Sequence, residues 1–360
     1  MSRPLRVAVV GAGRMGRHHA RLYRQVAETE LVAVVDQDLA RASALTAEYG
    51  GRPLADAGAI LDEVDAVTIA VPTVRHWEVA RPFIERRIPM LIEKPLAPTG
   101  AEARTLLDLA RKHGAIVAVG HVERFNPVVR AMERMQVVPK FIETHRISPF
   151  TFRSADVGVV LDMMIHDIDI VLHLVRDEVV RVEAVGINVL GASEDIANAR
   201  VTFARGCVAN LTASRLALKT ERKIRVFSEE AYLSLDYGKR AGVAIKKNAN
   251  LDLIKMARER NAEDLSQMAG VDYGKLVKVE PLAVDSADAL QSEIESFVRW
   301  VRTGEPGTAL AESRVASGEE GLAAVRLAED IVASLQRHAW DGSAAGRVGL
   351  TDEMIRPAGR

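Results

Sequence analysis

LRVAVVGAGRMG, residues 5–16, joins a short apolar run rich in valine to three glycines. The run predicts a buried strand over Leu5–Val10, and the pattern from Met15 to Gln25 predicts a helix directly after it. In such a turn, the first glycine permits the sharp reversal, the second lets a phosphate approach the backbone, and the third lets the helix pack closely on the strand. These positions are Gly11, Gly13 and Gly16. The stretch therefore predicts a dinucleotide-binding βαβ unit whose helix N-terminus attracts a pyrophosphate.

Asp36 lies at the end of the second predicted strand, 20 residues after Gly16. A carboxylate at this place accepts hydrogen bonds from the hydroxyls of the adenosine ribose. Its negative charge disfavours the extra phosphate of NADP, and Arg41 is the nearest residue that offers a compensating cation. We therefore predict NAD as the cofactor.

The apolar pattern predicts a chain of two domains. Short apolar runs alternate with helical patterns in the first third, which is typical of parallel strands joined by helices. After residue 127 the predicted strands are longer and alternate apolar with polar residues, as in an antiparallel sheet. We predict an α/β protein in which an N-terminal Rossmann domain with a doubly wound parallel sheet covers residues 1–124. A C-terminal α+β domain with an open, mainly antiparallel sheet covers 125–337, and a C-terminal tail covers 338–360.

Three helices are predicted in the second half, over Val157–Val175, Ala287–Thr303 and Glu312–Gln336. The stretch 239–281 is charged and has no periodicity that predicts a structure. His18 and His19 fall in the first helix, where we interpret them as surface or packing residues.

Composition and charge argue against several classes of function. Lys and Arg total 48 and Asp and Glu total 49, a formal net charge of −1, whereas binding to nucleic acid or an anionic membrane favours a basic excess. The single cysteine, Cys207, excludes an internal disulfide and a cysteine-rich zinc site. Charged residues interrupt the most apolar stretch, Val157–Val175, which argues against a membrane span. We expect a cytoplasmic protein with no nucleic-acid partner, no membrane partner and no metal.

Glu93, Lys94 and Pro95 follow a predicted strand that begins at Met90. In a parallel α/β sheet, the carboxyl ends of the strands face the crevice in which ligands bind. A lysine there is able to hold a hydroxyl oxygen or pass a proton, while the proline fixes the backbone beside it. The alternative interpretation is a surface lysine beside a turn proline.

A polar stripe runs along the apolar helix predicted over Val157–Val175. Its members fall at i, i+4, i+7 and i+11 on one helical face, and they are Asp162, His166, Asp169 and His173. Three interpretations are open: a structural helix with paired polar side chains, a metal site, and an acid–base pair in which Asp162 orients His166. We favour the last, because a carboxylate one turn before an imidazole raises its basicity towards a hydroxyl proton.

The glycine turn with Asp36, the Glu-Lys-Pro motif and the Asp162-x-x-x-His166 motif, in this order, resemble the Gfo/Idh/MocA family of NAD(P)-dependent oxidoreductases. The resemblance covers nearly the whole chain. It implies a Rossmann domain, then a domain whose open sheet often forms dimers or tetramers, so we expect a homodimer or homotetramer. It also implies that the catalytic residues Lys94, Asp162 and His166 surround the reacting carbon, with either Lys94 or His166 taking the proton.

The segment VPTVRH matches the part of this family that lines the cofactor. The resemblance thus adds Pro72, Thr73 and His76 to the cofactor site. The full set of predicted cofactor-binding residues is Gly11, Gly13, Arg14, Met15, Gly16, Asp36, Pro72, Thr73, His76, Glu93 and Lys94.

A narrower resemblance rests on the segments GHVERFNP (120–127), ISPFTFR (147–153) and LDMMIHDIDI (161–170). They are similar to the branch of the family that oxidises the 3-hydroxyl of UDP-N-acetylglucosamine to a ketone, which a partner aminotransferase then aminates on the route to a diamino-sugar lipid A. An anionic pyrophosphate needs cations, which predicts Arg124, Arg146 and Arg153 as substrate-binding residues. His121 and Asn126 follow the last predicted Rossmann strand, where the substrate should enter, and complete the predicted set. Two other functions stay open: dehydrogenation of a free sugar, inositol or other polyol, and a non-catalytic NAD-binding regulator.

Overall fold

A computed structural model describes residues 3–151, 157–190, 193–247, 277–305 and 314–338. Its first half alternates strands and helices from β1 to β6. These elements are β1 (Leu5–Val10), α1 (Arg14–Gln25), β2 (Thr29–Val35), α2 (Leu39–Tyr49), β3 (Arg52–Leu54), β4 (Ala66–Ile69), α3 (His76–Glu85), β5 (Met90–Glu93), α4 (Gly100–His113) and β6 (Val117–Gly120).

The N-terminal sheet has the strand order β6-β5-β4-β1-β2-β3, and all six strands are parallel. Val7, Ala8 and Val9 of the central strand β1 are all fully buried. A parallel sheet is covered by helices on both faces, so its strands have no solvated side. The carboxyl ends of β1, β4 and β5 consequently lie side by side and carry the glycine turn, Val71 and Lys94.

The second half forms a larger sheet covered on one face by helices. Its elements are α5 (Pro127–Glu133), β7 (Phe141–Ile147), a π-helical turn (Val160–Met164), α6 (Ile165–Val175), β8 (Val179–Ile187), β9 (Ile196–Phe203), β10 (Val208–Ser214), β11 (Glu221–Phe227), β12 (Ala231–Asp236), β13 (Ala241–Lys247), β14 (Val277–Pro281), α7 (Ala289–Thr303), β15 (Ala316–Ser317) and α8 (Gly318–Arg337). Burial alternates along β7, β9 and β10; α6 packs on β7 and β10, and α8 packs on β8.

The eight strands of this sheet have the order β14-β13-β12-β11-β7-β10-β9-β8. Every pair is antiparallel except β7 with β10. The predicted fold class, a Rossmann-type parallel sheet followed by a mainly antiparallel one, is therefore confirmed. The stretch 239–281 contains β13 and β14 at its two ends, and 248–276 lies outside the described residues.

The C-terminal elements return to the N-terminal half. β15 pairs antiparallel with β6 at the edge of the first sheet, and α7 packs on α1. The last helix begins at Gly318, because Ser317 and Glu320 form a capping box, and not at Glu312, which lies outside the described residues. The domain boundaries at 124 and 337 stay predictions, and the tail after His338 lies outside the described residues. Within the described ranges, no helix has both the length and the apolar character that a membrane crossing requires.

Candidate active site

The glycine turn has the shape that a bound phosphate needs. Gly11 has a φ of +104°, and a Cβ there would lie 2.4 Å from the carbonyl oxygen of Ala70. A Cβ on Gly16 would lie 1.7 Å from the carbonyl oxygen of Gly11, so α1 approaches the turn as closely as its backbone allows. Around Gly13, by contrast, a Cβ would meet nothing within 4 Å. The open space beside the N-terminus of α1 fits a pyrophosphate.

Asp36 connects the end of β2 to this turn. One carboxylate oxygen accepts a hydrogen bond from the Ala12 amide at 2.7 Å, and the other accepts from the Asp38 amide at 2.8 Å. Each oxygen keeps a lone pair for a ribose hydroxyl. Arg41, the cation that could neutralise an extra phosphate, lies 3.1 Å from the Asp38 carboxylate. The arrangement favours NAD over NADP.

His76 ties two loops of the predicted cofactor site together. Its ring is buried, with Nδ1 3.1 Å from the carbonyl oxygen of Leu96 and Nε2 3.1 Å from that of Val71. Burial lowers the pKa of His76 because it disfavours the imidazolium. Thr73 begins a short 3-10 turn, and Pro72 before it is exposed. Pro72 and Thr73 are therefore the accessible residues of this segment, whereas the buried His76 holds it in place through its contacts with the backbone.

Lys94 directly follows β5 and reaches across to the second half of the chain. Its Nζ donates a hydrogen bond to the backbone oxygen of Asp162 at 2.7 Å and lies 3.7 Å from the Asp162 carboxylate. The Lys94–Pro95 peptide bond is cis. Burial lowers the pKa of Lys94, and the carboxylates of Asp162 and Glu93 oppose that shift. The lysine is thus held as a hydrogen-bond donor at the carboxyl edge of the parallel sheet.

His166 follows the π-helical turn that contains Asp162. Among the described residues the Nδ1 of His166 has no hydrogen-bond partner, and no hydrogen bond joins the ring to Asp162. The Asp162 side chain approaches Lys94 instead, since the ammonium offers it an opposite charge. Burial and the nearby cations Lys94 and Arg146 lower the pKa of His166 well below 6.5. A neutral imidazole with a free nitrogen is able to accept a proton.

The other members of the predicted polar stripe have separate partners. Asp169 accepts from Arg124, and His173 Nε2 lies 2.5 Å from Glu133. The four side chains therefore do not converge on one point. Within the described ranges, no three His, Cys, Asp or Glu side chains are grouped to hold a metal ion.

Arg124 is enclosed in an ion-pair network. Its guanidinium donates to both carboxylate oxygens of Asp169, at 2.8 and 2.6 Å, and to Glu320 at 2.9 Å. The side chain is 1% exposed. These contacts hold α6, α8 and the turn after β6 together, so the geometry gives Arg124 a supporting role, and its contact with substrate stays a prediction.

Arg146 is held in a similar way on β7. Its guanidinium donates to both oxygens of Asp167, each at 2.9 Å, and to Glu123 at 3.0 Å. Glu123 also accepts from Asn126, whose own carbonyl oxygen caps α5. Arg146 and Asn126 thus direct their polar groups at protein partners, and their contact with substrate likewise stays a prediction.

His121 and Arg153 complete the predicted substrate set. His121 is buried, and neither ring nitrogen has a hydrogen-bond partner among the described residues. Its Nδ1 lies 3.9 Å from an Asp169 oxygen. Burial lowers the pKa of His121. Arg153 lies outside the described residues.

His19 contributes to the site in a way that the sequence interpretation missed. It is fully buried, and its Nε2 lies 2.8 Å from a carboxylate oxygen of Glu93, the residue before Lys94. The spacing in the sequence indicates this position: His19 follows Gly16 by three residues, so both lie on the face of α1 that packs on the sheet. The contact connects the helix of the glycine turn to the strand that carries Lys94.

Two family descriptions match this chain. Residues 5–121 match the oxidoreductase family with an NAD-binding Rossmann fold, and residues 135–234 match the C-terminal domain of the Gfo/Idh/MocA family. The first match covers the glycine turn, Asp36 and Lys94, and the second covers Asp162 and His166.

Curated proteins and solved structures agree with that result. The UDP-N-acetylglucosamine 3-dehydrogenase of Acidithiobacillus ferrooxidans is 33% identical over 303 residues, which cover 84% of this chain and 90% of that protein. An inositol 2-dehydrogenase of Rhizobium meliloti is 26% identical over 342 residues, 92% of this chain and 97% of that protein. A crystal form of the Acidithiobacillus ferrooxidans enzyme superposes with a TM-score of 0.80 at 30% identity, covering 92% of this chain and 98% of the other. This chain belongs to the Gfo/Idh/MocA family of NAD-binding oxidoreductases.

Proposed function

We propose that this oxidoreductase uses NAD to oxidise a sugar hydroxyl to a ketone, and that its substrate is UDP-N-acetylglucosamine, oxidised at the 3-hydroxyl. The observation that carries the chemistry is the pair formed by a neutral His166 with a free nitrogen and a Lys94 held as a donor. The choice of substrate is supported by 33% identity over 84% of this chain to an enzyme named for that reaction.

Two side chains of this protein act on the substrate hydroxyl. His166 accepts the hydroxyl proton: burial and the nearby cations leave its imidazole uncharged before the reaction, and its Nδ1 has no hydrogen-bond partner among the described residues. Lys94 donates a hydrogen bond to the same oxygen and stabilises the negative charge that develops there. Asp162 positions Lys94 through its backbone oxygen and carboxylate. NAD, when bound at the glycine turn, supplies the acceptor for the hydride that leaves the carbon.

The products would be a keto-sugar nucleotide, NADH and a proton. A ketone at this carbon is a substrate for an amine-transferring enzyme, so we propose an aminotransferase as the downstream partner. We also propose a homodimer or homotetramer, in keeping with the family resemblance.

A free sugar, inositol or other polyol is the second candidate substrate. It is favoured by 26% identity over 92% of this chain to an inositol 2-dehydrogenase. Both candidates use the same Lys94 and His166 chemistry. A regulator without catalysis would have no need of either residue, so their presence together argues against that function.

Formation of NADH from NAD tests the proposal. The substrates compared are UDP-N-acetylglucosamine, free N-acetylglucosamine, myo-inositol and glucose, with an amine donor and an aminotransferase present to remove the ketone. We expect turnover with the UDP-sugar, and loss of at least about a hundredfold in kcat in folded His166→Ala and Lys94→Ala proteins. His145→Ala, on the opposite face of β7 from Arg146, serves as the control. If only a free polyol is oxidised, UDP-N-acetylglucosamine is not the substrate and the polyol takes its place. Full activity in both site variants would overturn the mechanism.

A further inference from the structure

Arg222 is a third arginine beside the candidate active site, and it differs from the two already described. Arg124 and Arg146 are 1% and 4% exposed, and each donates to both oxygens of an aspartate. The Arg222 side chain is 48% exposed. Among the described residues its guanidinium makes no hydrogen bond, and its nearest acidic contact is a Glu123 oxygen at 3.8 Å. Arg222 therefore keeps its donors available to a ligand.

The sheet register places Arg222 on the face that carries His166. Arg222 is the second residue of β11 and lies directly opposite Arg146 on β7, so the two side chains project from the same side of the sheet. Ile224 and Val226, which follow on this face, are buried. Arg146 pairs with Asp167, the neighbour of His166 in the chain. A short series of contacts therefore leads from Asp167, which follows His166, through Arg146 and Glu123 to Arg222.

The charges around Arg222 leave it able to bind an anion. Glu123 is its only acidic contact among the described residues, and that carboxylate already accepts from Arg146 at 3.0 Å and from Asn126 at 3.0 Å. The cation also acts on the site at a distance, because Arg222 contributes to lowering the pKa of His166. A guanidinium that is half exposed and weakly paired binds phosphate oxygens with two parallel hydrogen bonds.

We propose that Arg222 binds the diphosphate of a nucleotide-sugar substrate while the sugar lies between Lys94 and His166. This assignment rests on the proposed function. In this arrangement Arg222 binds the anionic group of the substrate. Arg124 and Arg146 instead hold the helices and the sheet together through their ion pairs.

Arg225 offers a matched control on the same strand. Its side chain is 46% exposed, close to the 48% of Arg222, and it donates one long hydrogen bond of 3.5 Å to Glu143. Arg225 stands opposite Glu143 in the register and therefore projects from the other face of the sheet. Removing Arg225 takes away the same charge without touching the face that carries His166.

The experiment compares Arg222→Ala, Arg222→Lys and Arg225→Ala in the full-length protein saturated with NAD. The readouts are kcat and KM for UDP-N-acetylglucosamine, the inhibition constant of UDP, and the melting temperature. We expect Arg222→Ala to raise KM and the UDP inhibition constant by about ten- to a hundredfold, the effect of losing charged hydrogen bonds, and to change kcat less. Arg222→Lys keeps a point charge and should lose less, whereas Arg225→Ala should stay within about twofold of the wild type in each constant.

The outcomes separate this inference from the function on which it rests. If the wild type oxidises the UDP-sugar and Arg222→Ala behaves as Arg225→Ala does, the assignment is wrong and the proposed function stands. A lower melting temperature with an unchanged UDP inhibition constant would make Arg222 a structural partner of Glu123 and would also overturn it. If UDP neither inhibits the wild type nor forms part of any substrate that it uses, the proposed function fails, and this assignment fails with it.

Discussion

Lys94 and His166 reach the candidate active site from different halves of the chain, and their surroundings give them different roles. Lys94 donates to the Asp162 backbone oxygen and is accompanied by a carboxylate, which suits a charged donor. His166 is surrounded by cations that disfavour its own protonation. The sequence left open which of the two takes the proton; we propose His166, because an uncharged imidazole has a lone pair to accept it and a lysine held as a charged donor does not.

The pH dependence of kcat/KM tests that assignment. With His166 as the base, the rate of oxidation falls only where the imidazole becomes protonated, which lies below its ordinary pKa of 6.5 because that pKa is lowered. We expect full activity at neutral pH and an acidic decline below about pH 6.5. If Lys94 were the base, the decline would begin at higher pH, below the ordinary lysine pKa of 10.5. Initial rates with the UDP-sugar between pH 5 and pH 10 distinguish the two.

Asp36 is expected to determine the choice between NAD and NADP. Asp36→Asn keeps an oxygen for the Ala12 amide but removes the charge that repels a 2′-phosphate. We expect weaker NAD binding, tighter NADP binding, and a change of about tenfold or more in their ratio of dissociation constants, measured by calorimetry. Asp38→Asn keeps the cap of α2 and the Asp36 charge but frees Arg41 from its ion pair, so it should change the ratio less. An unchanged ratio in Asp36→Asn would show that this carboxylate does not face the ribose.

The sequence predicted the positions of single residues where the pattern is local. The glycine turn, Asp36 and Lys94 each stand directly beside a strand end, so a pattern of a few residues was enough. Arg124 was different, because its partners Asp169 and Glu320 lie 45 and 196 residues away. Spacing alone does not reveal whether a cation near a site is free for substrate or already paired.

At the scale of an element, the turn between β1 and α1 gives two glycines opposite roles. Gly13 has a φ of −74° and open space around it, so alanine is tolerated by the fold but occupies the place of a phosphate. We expect Gly13→Ala to leave the melting temperature almost unchanged and to weaken NAD binding by about tenfold or more. Wild-type affinity in this variant would mean that no phosphate approaches there.

Gly16→Ala is the counterpart, since its methyl group would lie 1.7 Å from the Gly11 carbonyl oxygen. We expect the free energy of unfolding to fall by about 2–3 kcal/mol, measured by urea denaturation without cofactor. A stability equal to that of Gly13→Ala would contradict the close approach of α1 to the turn.

Elements with strong periodicity were predictable, whereas those set by tertiary contacts were not. The helix predicted over Val157–Val175 is correct in its second part, but it begins with a π-helical turn over Val160–Met164. That turn brings the Asp162 backbone oxygen to Lys94, 68 residues away in sequence, a contact that helical spacing does not encode. The short strand Ala316–Ser317 likewise exists because β6 offers it an edge.

At the scale of the molecule, α7 packs on α1 and buries Glu293 between the halves. Neither Glu293 oxygen has a hydrogen-bond partner among the described residues, and burial raises its pKa well above 4.5. The folded state therefore holds this carboxyl protonated, and that contribution to stability is lost as the pH rises through the raised pKa.

Glu293→Gln should stabilise the protein most at high pH, because glutamine stays neutral there and keeps the shape. We expect a gain of about 1 kcal/mol or more at pH 8 and a smaller gain at pH 5, from urea denaturation. Glu295→Gln on the same helix should show no such pH dependence. A Glu293→Gln protein that is less stable at every pH would contradict the protonated carboxyl.

The central claim is that hydride leaves carbon 3 of a nucleotide-sugar, and isotope transfer tests it most directly. The intact protein is incubated with NAD and UDP-N-acetylglucosamine carrying deuterium at carbon 3, and the NADH is analysed by mass spectrometry. We expect one deuterium in each NADH formed, with Lys94→Ala and His166→Ala forming little NADH. NADH without deuterium, or no NADH from this sugar under conditions in which another substrate is oxidised, would contradict it.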